Sequence, residues 1–402
     1  MAGADMKRRK KSNVILVSIF LAVMILNLIA WNNTAFCDFY VKYIFPIWVN
    51  IFARLSGMLS FSVGEIMIGV AALLVAAGLF LLLFLLLLHL IGHKNRKRFW
   101  YFCKKYYRAL LWICALEGVV MTCNCFILYH CSTFEEKYQV NGGDYKISEL
   151  AAVRDHVVQK ANELAKEMER DEAGNIIYNE DMAWQAGEDM KRLSTRGYEQ
   201  LAGYYPPPKG IMASEFLSQQ YMQGYYFPFS LEANYNDVMY ITNKPVTMCH
   251  ELAHLKGFIY EDEASFISYL ACIHSEDKLF QYSGYLSVLN YLDKAYYEAV
   301  DGNKELYAFH EKISAQVKRD NVFLTQDSWE KVEKKAVIST TTAKKASRVF
   351  LDASQKANGI EDGIASYNRV VGLLLDYYDG VLYRVEVKEN GKDEDGLLST
   401  ET

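Results

Sequence analysis

Apolar positions along this chain follow two regimes. Over the first 130 residues they form long unbroken runs. Beyond that they recur at helical spacing, or alternate, between charged and polar residues. Three runs, 14–31, 66–91 and 109–129, each approach or exceed the ~20 residues a helix needs to cross a hydrocarbon core. They predict three membrane-spanning helices in an anchor of residues 1–131. The basic stretch Lys7–Lys11 could open a signal peptide. However, the run after it is long, no clear small-residue cleavage site follows, and two further runs come later. Residues 39–61, between the first two runs, are aromatic and apolar. They fit either a short helix lying on the interface or a re-entrant packing element.

Residues 132–386 read as a mostly helical domain. Leu150, Val153, Val157, Ala161 and Leu164 share one helical face within 146–169, and a second helical stretch covers 182–201. Pro206-Pro207-Pro208 interrupts the pattern. Tyr225–Phe229 and Val238–Ile241 are short, aromatic or β-branched, and bounded by turn formers, which predicts extended segments. Helical periodicity then runs from Pro245 to Tyr378. The expected fold class is mainly α, with three N-terminal transmembrane helices and a small sheet just before a central helix. Residues 387–402 read as a disordered acidic tail.

Charge divides along the same line. Residues 1–130 hold 14 Lys and Arg against four acids, and the remainder holds 29 against 44. The basic residues of the anchor precede the first run or lie between the second and third, and only Lys42 and Arg54 lie between the first and second. Basic loops stay cytoplasmic, so this pattern places the N-terminus inside and everything after the third span outside a cell membrane. An acidic globular part with no basic aromatic stripe argues against a nucleic-acid partner. Five of eight cysteines crowd into 103–131, where they pack as small hydrophobes; Cys249 and Cys272 could pair or remain buried thiols. Glu117, inside the third run, is either a functional acid or a protonated one bonded to a neighbouring helix.

The chemistry concentrates at His250-Glu251-Leu252-Ala253-His254. Two histidines four residues apart on a helix stand one turn apart on one face, where both rings can hold one Zn²⁺. Glu251 lies on the adjacent part of that face, as the general base of a zinc hydrolase requires. Gly257 is placed to end the helix. A catalytic zinc usually takes a third protein ligand. Glu261-Asp262-Glu263 opens the next predicted helix after the turn, so Glu261 or Glu263 could supply it, while acids there also suit the helix dipole.

From His250 to Ser265 the chain resembles an uncharacterised family of bacterial membrane proteins with a zincin-type domain. Their core is similar to H-E-x-A-H-x-x-G-x-x-x-E-D-E-A-N. The resemblance extends to Gly224–Asn236 and to Asp362–Tyr367. The spacing Glu261-x-x-Ala264-Ser265 is similar to the E-x-x-A-[D/N] helix of gluzincins, which favours Glu261 over Glu263 as third ligand. Ser265 stands where an Asp or Asn is usual. By the same resemblance, Tyr225–Asn236 would be an edge strand that binds substrate backbone, and Tyr367 would stabilise the oxyanion. The implied activity is peptide-bond hydrolysis by a membrane-anchored zinc metallopeptidase acting on a peptide or protein. The alternative is a zincin-fold sensor or envelope-assembly protein that binds, or cuts only one target.

Overall fold

The computed structural model describes residues 2–92, 94, 96–140, 143–360 and 369–384. The protein is mainly helical, with three long apolar helices at its N-terminal end and one three-stranded sheet. The long helices are α1 (Ala2–Asn32), α2 (Val63–Leu90) and α3 (Arg96–Met121), and α3 continues through tighter and wider turns to His130. All three are long and apolar enough to cross a membrane, and their leucine, valine and phenylalanine side chains face outward. This is the pattern of a helix solvated by lipid, and it marks a membrane protein. Polar contacts hold the helices to one another. Asn27 donates to Thr122 across 2.8 Å, and the Tyr107 hydroxyl donates to the Gly78 carbonyl across 2.6 Å.

Residues 34–57 form a chain of short helical turns between α1 and α2. Tyr40, Val41, Phe45, Val49 and Ala53 are buried, whereas Phe39, Tyr43, Ile47, Leu55 and Met58 are more than half exposed. The segment therefore has one face packed on the protein and an opposite face that is also apolar.

Most of the remaining helices pack around one core that is continuous with the inner face of that segment. They include α4 (Ile147–Glu167), α5 (Met182–Ser194), α6 (Lys244–Leu255), α7 (Glu261–Ile273), α8 (Lys278–Ala299) and α9 (Val370–Tyr378). Local chemistry sets their ends. The Asp181 side chain accepts from the Trp184 N–H to start α5, and Asp277 accepts from Phe280 to start α8. Pro245 sits in the first turn of α6, where no amide hydrogen is missed.

The sheet has the order β1-β3-β2, with β1 (Lys209–Gly210) parallel and β2 (Gly224–Phe227) antiparallel to β3 (Glu232–Tyr235). Tyr225 pairs with Asn234, and Phe227 with Glu232. Two expectations need correction. The Tyr225–Asn236 segment is a hairpin, so only β2 is an edge strand and β3 is central. Val238–Ile241 is not extended but a turn leading into a single tight helical turn. There the Asn236 side chain accepts the Val238 N–H and Met239 turns into a small cluster with Leu324 and Val332. A side-chain-capped turn outcompetes the strand preference of this β-branched run.

Strand β3 is tied to the start of α2. Buried Glu232 accepts the Val63 N–H across 3.1 Å and the Gly64 N–H across 2.8 Å. Its carboxylate also meets the ammonium of buried Lys209, which donates to the Ser56 and Phe61 carbonyls.

Candidate metal centre

Helix α6 is buried along almost its whole length, so it is a core helix rather than a surface one. Only the side of the helix bearing His250 is partly open. Gly257, at φ +91°, ends it in the left-handed region. The Phe258 N–H reaches back to the Ala253 carbonyl and the Gly257 N–H to that of His254, which is the Schellman arrangement. The reversal brings the first turn of α7 against the histidines.

His250, His254 and Glu261 converge there, their donor atoms all within 4.8 Å of one another. Glu261 Oε2 lies 3.1 Å from His250 Nε2 and 3.7 Å from His254 Nε2. Each ring has a second partner on its far side. His254 Nδ1 is 2.8 Å from the Phe258 carbonyl, so Nδ1 donates to it and Nε2 faces the cluster. His250 Nδ1 has a longer contact, 3.4 Å, with the Ser265 hydroxyl. Glu263 takes no part. Its Oε1 accepts the Phe134 N–H across 2.6 Å, in a buried position on another side of α7.

The charges of these groups act on one another. Burial lowers the pKa of His250, and its bond to Glu261 only partly offsets this. Burial opposes protonation of His254 too, but Glu261, Glu251 and the Phe258 carbonyl outweigh it and raise the ring to about 9. Burial would raise Glu261, yet the two imidazoles overcome it and hold its carboxyl well below the usual range. Burial pushes Glu251 up to about 8, against the pull of His254 and the Tyr226 N–H. Glu251 Oε2 is buried and has no hydrogen-bond partner among the described residues.

A family model described as "Protein of unknown function (DUF3810)" matches residues 40–375. The chain belongs to this family. No curated protein and no solved structure matches it. The DUF3810 match takes in the last two long helices, the sheet and the whole His-His-Glu cluster.

Around that cluster this DUF3810 protein places residues with no individual role legible in the sequence. Gly224 brings the backbone of β2 against Glu251. A Cβ there would stand 2.6 Å from the Asn234 carbonyl and 2.7 Å from Glu251 Oε1. The Tyr226 ring lies 6.4 Å from that of His254. The Tyr291 phenol, on α8, is raised by burial and further by the nearby Glu261 carboxylate. A glycine opening an aromatic strand is the one signal of these that a sequence can show. Asp262, beside the cluster, pairs with Arg369 across 2.9 Å. Tyr367 lies outside the described residues, as do Asp362–Ser366 and the acidic tail.

Proposed function

We propose that this protein is a membrane-anchored zinc peptidase, with zinc held by His250, His254 and Glu261 and with Glu251 as the proton-transfer group. One observation carries the reading. Two imidazole nitrogens and a carboxylate oxygen converge within 4.8 Å of one another, next to a buried carboxylate with one oxygen that has no hydrogen-bond partner among the described residues. The donor set fits the ion. Two ligands at ~2.0–2.1 Å in a tetrahedron stand roughly 3.3 Å apart, which the 3.1 and 3.7 Å separations straddle. Bound zinc would supply Lewis acidity and lower the pKa of water towards ~7. Glu251 becomes the favoured carboxylate once positive charge sits at the cluster. Its Oε2 then takes the proton as a water oxygen bonds to the scissile carbonyl carbon, and returns it to the leaving nitrogen as the C–N bond breaks. Among the described residues no strand pairs with the outer edge of β2, and this edge is suited to hold an extended polypeptide by strand addition. The charge pattern of the loops supports an extracytoplasmic site.

A second reading, a sensor that keeps the metal site to bind a partner, draws on the direct tie from Glu232 to the start of α2. Metal analysis and peptide cleavage by the full-length protein separate the two. One zinc per chain, lost in His250→Ala, together with cleavage lost in Glu251→Gln while zinc stays, supports the peptidase. Cellular function unchanged by Glu251→Gln supports the sensor.

A further inference from the structure

The cluster stands directly on the ends of the long helices. The Tyr226 hydroxyl donates to the Asn124 carbonyl across 3.2 Å, and its ring faces His254. One tyrosine side chain thus spans from α3's extension to the His254 ring on α6. The Tyr260 hydroxyl, one residue before Glu261, donates to the Tyr129 carbonyl across 2.7 Å. Gly257, which sets the turn between the histidines and Glu261, packs on Val41 and Leu128.

The bilayer must end close to these atoms. The third candidate span, 96–130, is 35 residues long. At ~1.5 Å per residue that is about 52 Å, well beyond a ~30 Å hydrocarbon core. Its basic residues end at Arg108, so the ~20 residues that cross begin near Ala109 and finish near Leu128. Asn124 and Tyr129 therefore lie at the boundary of the bilayer. The outward apolar face of residues 39–58 lies along the same boundary, beneath Gly257.

Strand β2 runs towards that boundary. It starts at Gly224, against Glu251, and ends at Phe227, whose ring presses on Gly64 in the first turn of α2. The next residue, Pro228, accepts from the Asn124 side chain across 2.8 Å. An extended chain laid along the free edge of β2 has one end directed at the lipid.

We infer that the substrate is a polypeptide held in the same membrane and cut close to its point of attachment. This inference rests on the peptidase reading. At ~3.3 Å per extended residue, ten residues reach about 33 Å, so a scissile bond within roughly ten residues of an anchor arrives at the cluster without leaving the surface.

The test uses the full-length protein in phospholipid vesicles with zinc. Short peptides of randomised sequence are supplied free, on an N-terminal diacyl anchor, or on that anchor behind a rigid polyproline spacer of ~20 residues, about 60 Å long. Mass spectrometry reads the products. Directly anchored peptides are expected to be cut at least about tenfold faster than free ones, near the anchor, with the spacer set no faster than free. Glu251→Gln should remove all three signals. Equal rates for the three sets, or faster cutting behind the spacer, would overturn the membrane-substrate inference and leave a peptidase. No cleavage above the Glu251→Gln background in any set would overturn the peptidase reading and this inference with it.

Discussion

Two polar centres in this protein differ in how their atoms are matched. At Asp320, every strong acceptor has a donor. Arg170 donates to both carboxylate oxygens at 3.0 and 2.7 Å, Tyr282 donates at 2.9 Å, and the Gln316 amide closes on the same group. That centre is closed, and it joins the loop after α4 to α8. At His250, His254 and Glu261, two ring nitrogens and a carboxylate oxygen of metal-ligating type converge, and Glu251 Oε2 beside them has no partner among the described residues. Converging ligand atoms beside an unpaired carboxylate oxygen mark a place for a cation, whereas a saturated ion pair marks a joint.

The contrast can be broken at either centre. The largest effect is expected at Glu251. Glu251→Gln should lower peptide turnover by ~10²–10⁴-fold with zinc content unchanged, as loss of general acid–base catalysis does. A matching loss of zinc would instead assign Glu251 to metal binding. At the other centre, Asp320→Asn should cost about 3 kcal/mol of stability in denaturant titrations, because Arg170 loses its buried partner. Zinc content should not change; if it did, the two centres would not be independent.

Gly224→Ala is expected to act on catalysis rather than on metal. The new Cβ would press on Glu251 Oε1 and the Asn234 carbonyl. A displacement of this kind costs up to ~10²-fold in turnover. Wild-type turnover in that variant would show that β2 does not shape the site.

The smallest effect is a pH dependence at Glu263. Burial raises its carboxyl from 4.5 to about 8, with the Phe134 N–H and Lys137 pulling down and Asp262 pushing up. The folded state then binds the extra proton between those values. The stability this adds is full below pH 4.5 and is lost as pH rises through about 8. Glu263→Gln keeps an acceptor for Phe134 and has no charge to bury. Its Tm should match wild type near pH 5 and exceed it by a few degrees, on the order of 2–4 °C, at pH 8. A constant difference across that range would mean that Glu263 does not titrate there.

Much of this was legible from spacing alone. Four-residue separation put both histidines on one face of α6, and Gly257 ended the helix in the left-handed turn that glycine permits. The apolar runs marked all three long helices. The choice between Glu261 and Glu263 was not decided by helix geometry. Glu263 is claimed by Phe134, 129 residues earlier, a partner no local pattern predicts. Val238–Ile241 misled because strand preference was weighed without the Asn236 side chain that caps the turn. Tyr226 sits in an aromatic run where alternation says that one ring turns inward but not what it meets.

The bond from Glu232 to the start of α2 has a practical consequence. A chain begun at residue 132, the natural choice for a water-soluble fragment, would take away the Val63 and Gly64 amides and the Ser56 and Phe61 carbonyls together. Lys209 and Glu232 would be left facing an emptied seat, and the apolar underside that residues 40–53 cover would be bare to water. Such a fragment is expected to clump on expression, while the intact chain extracted in detergent stays monodisperse.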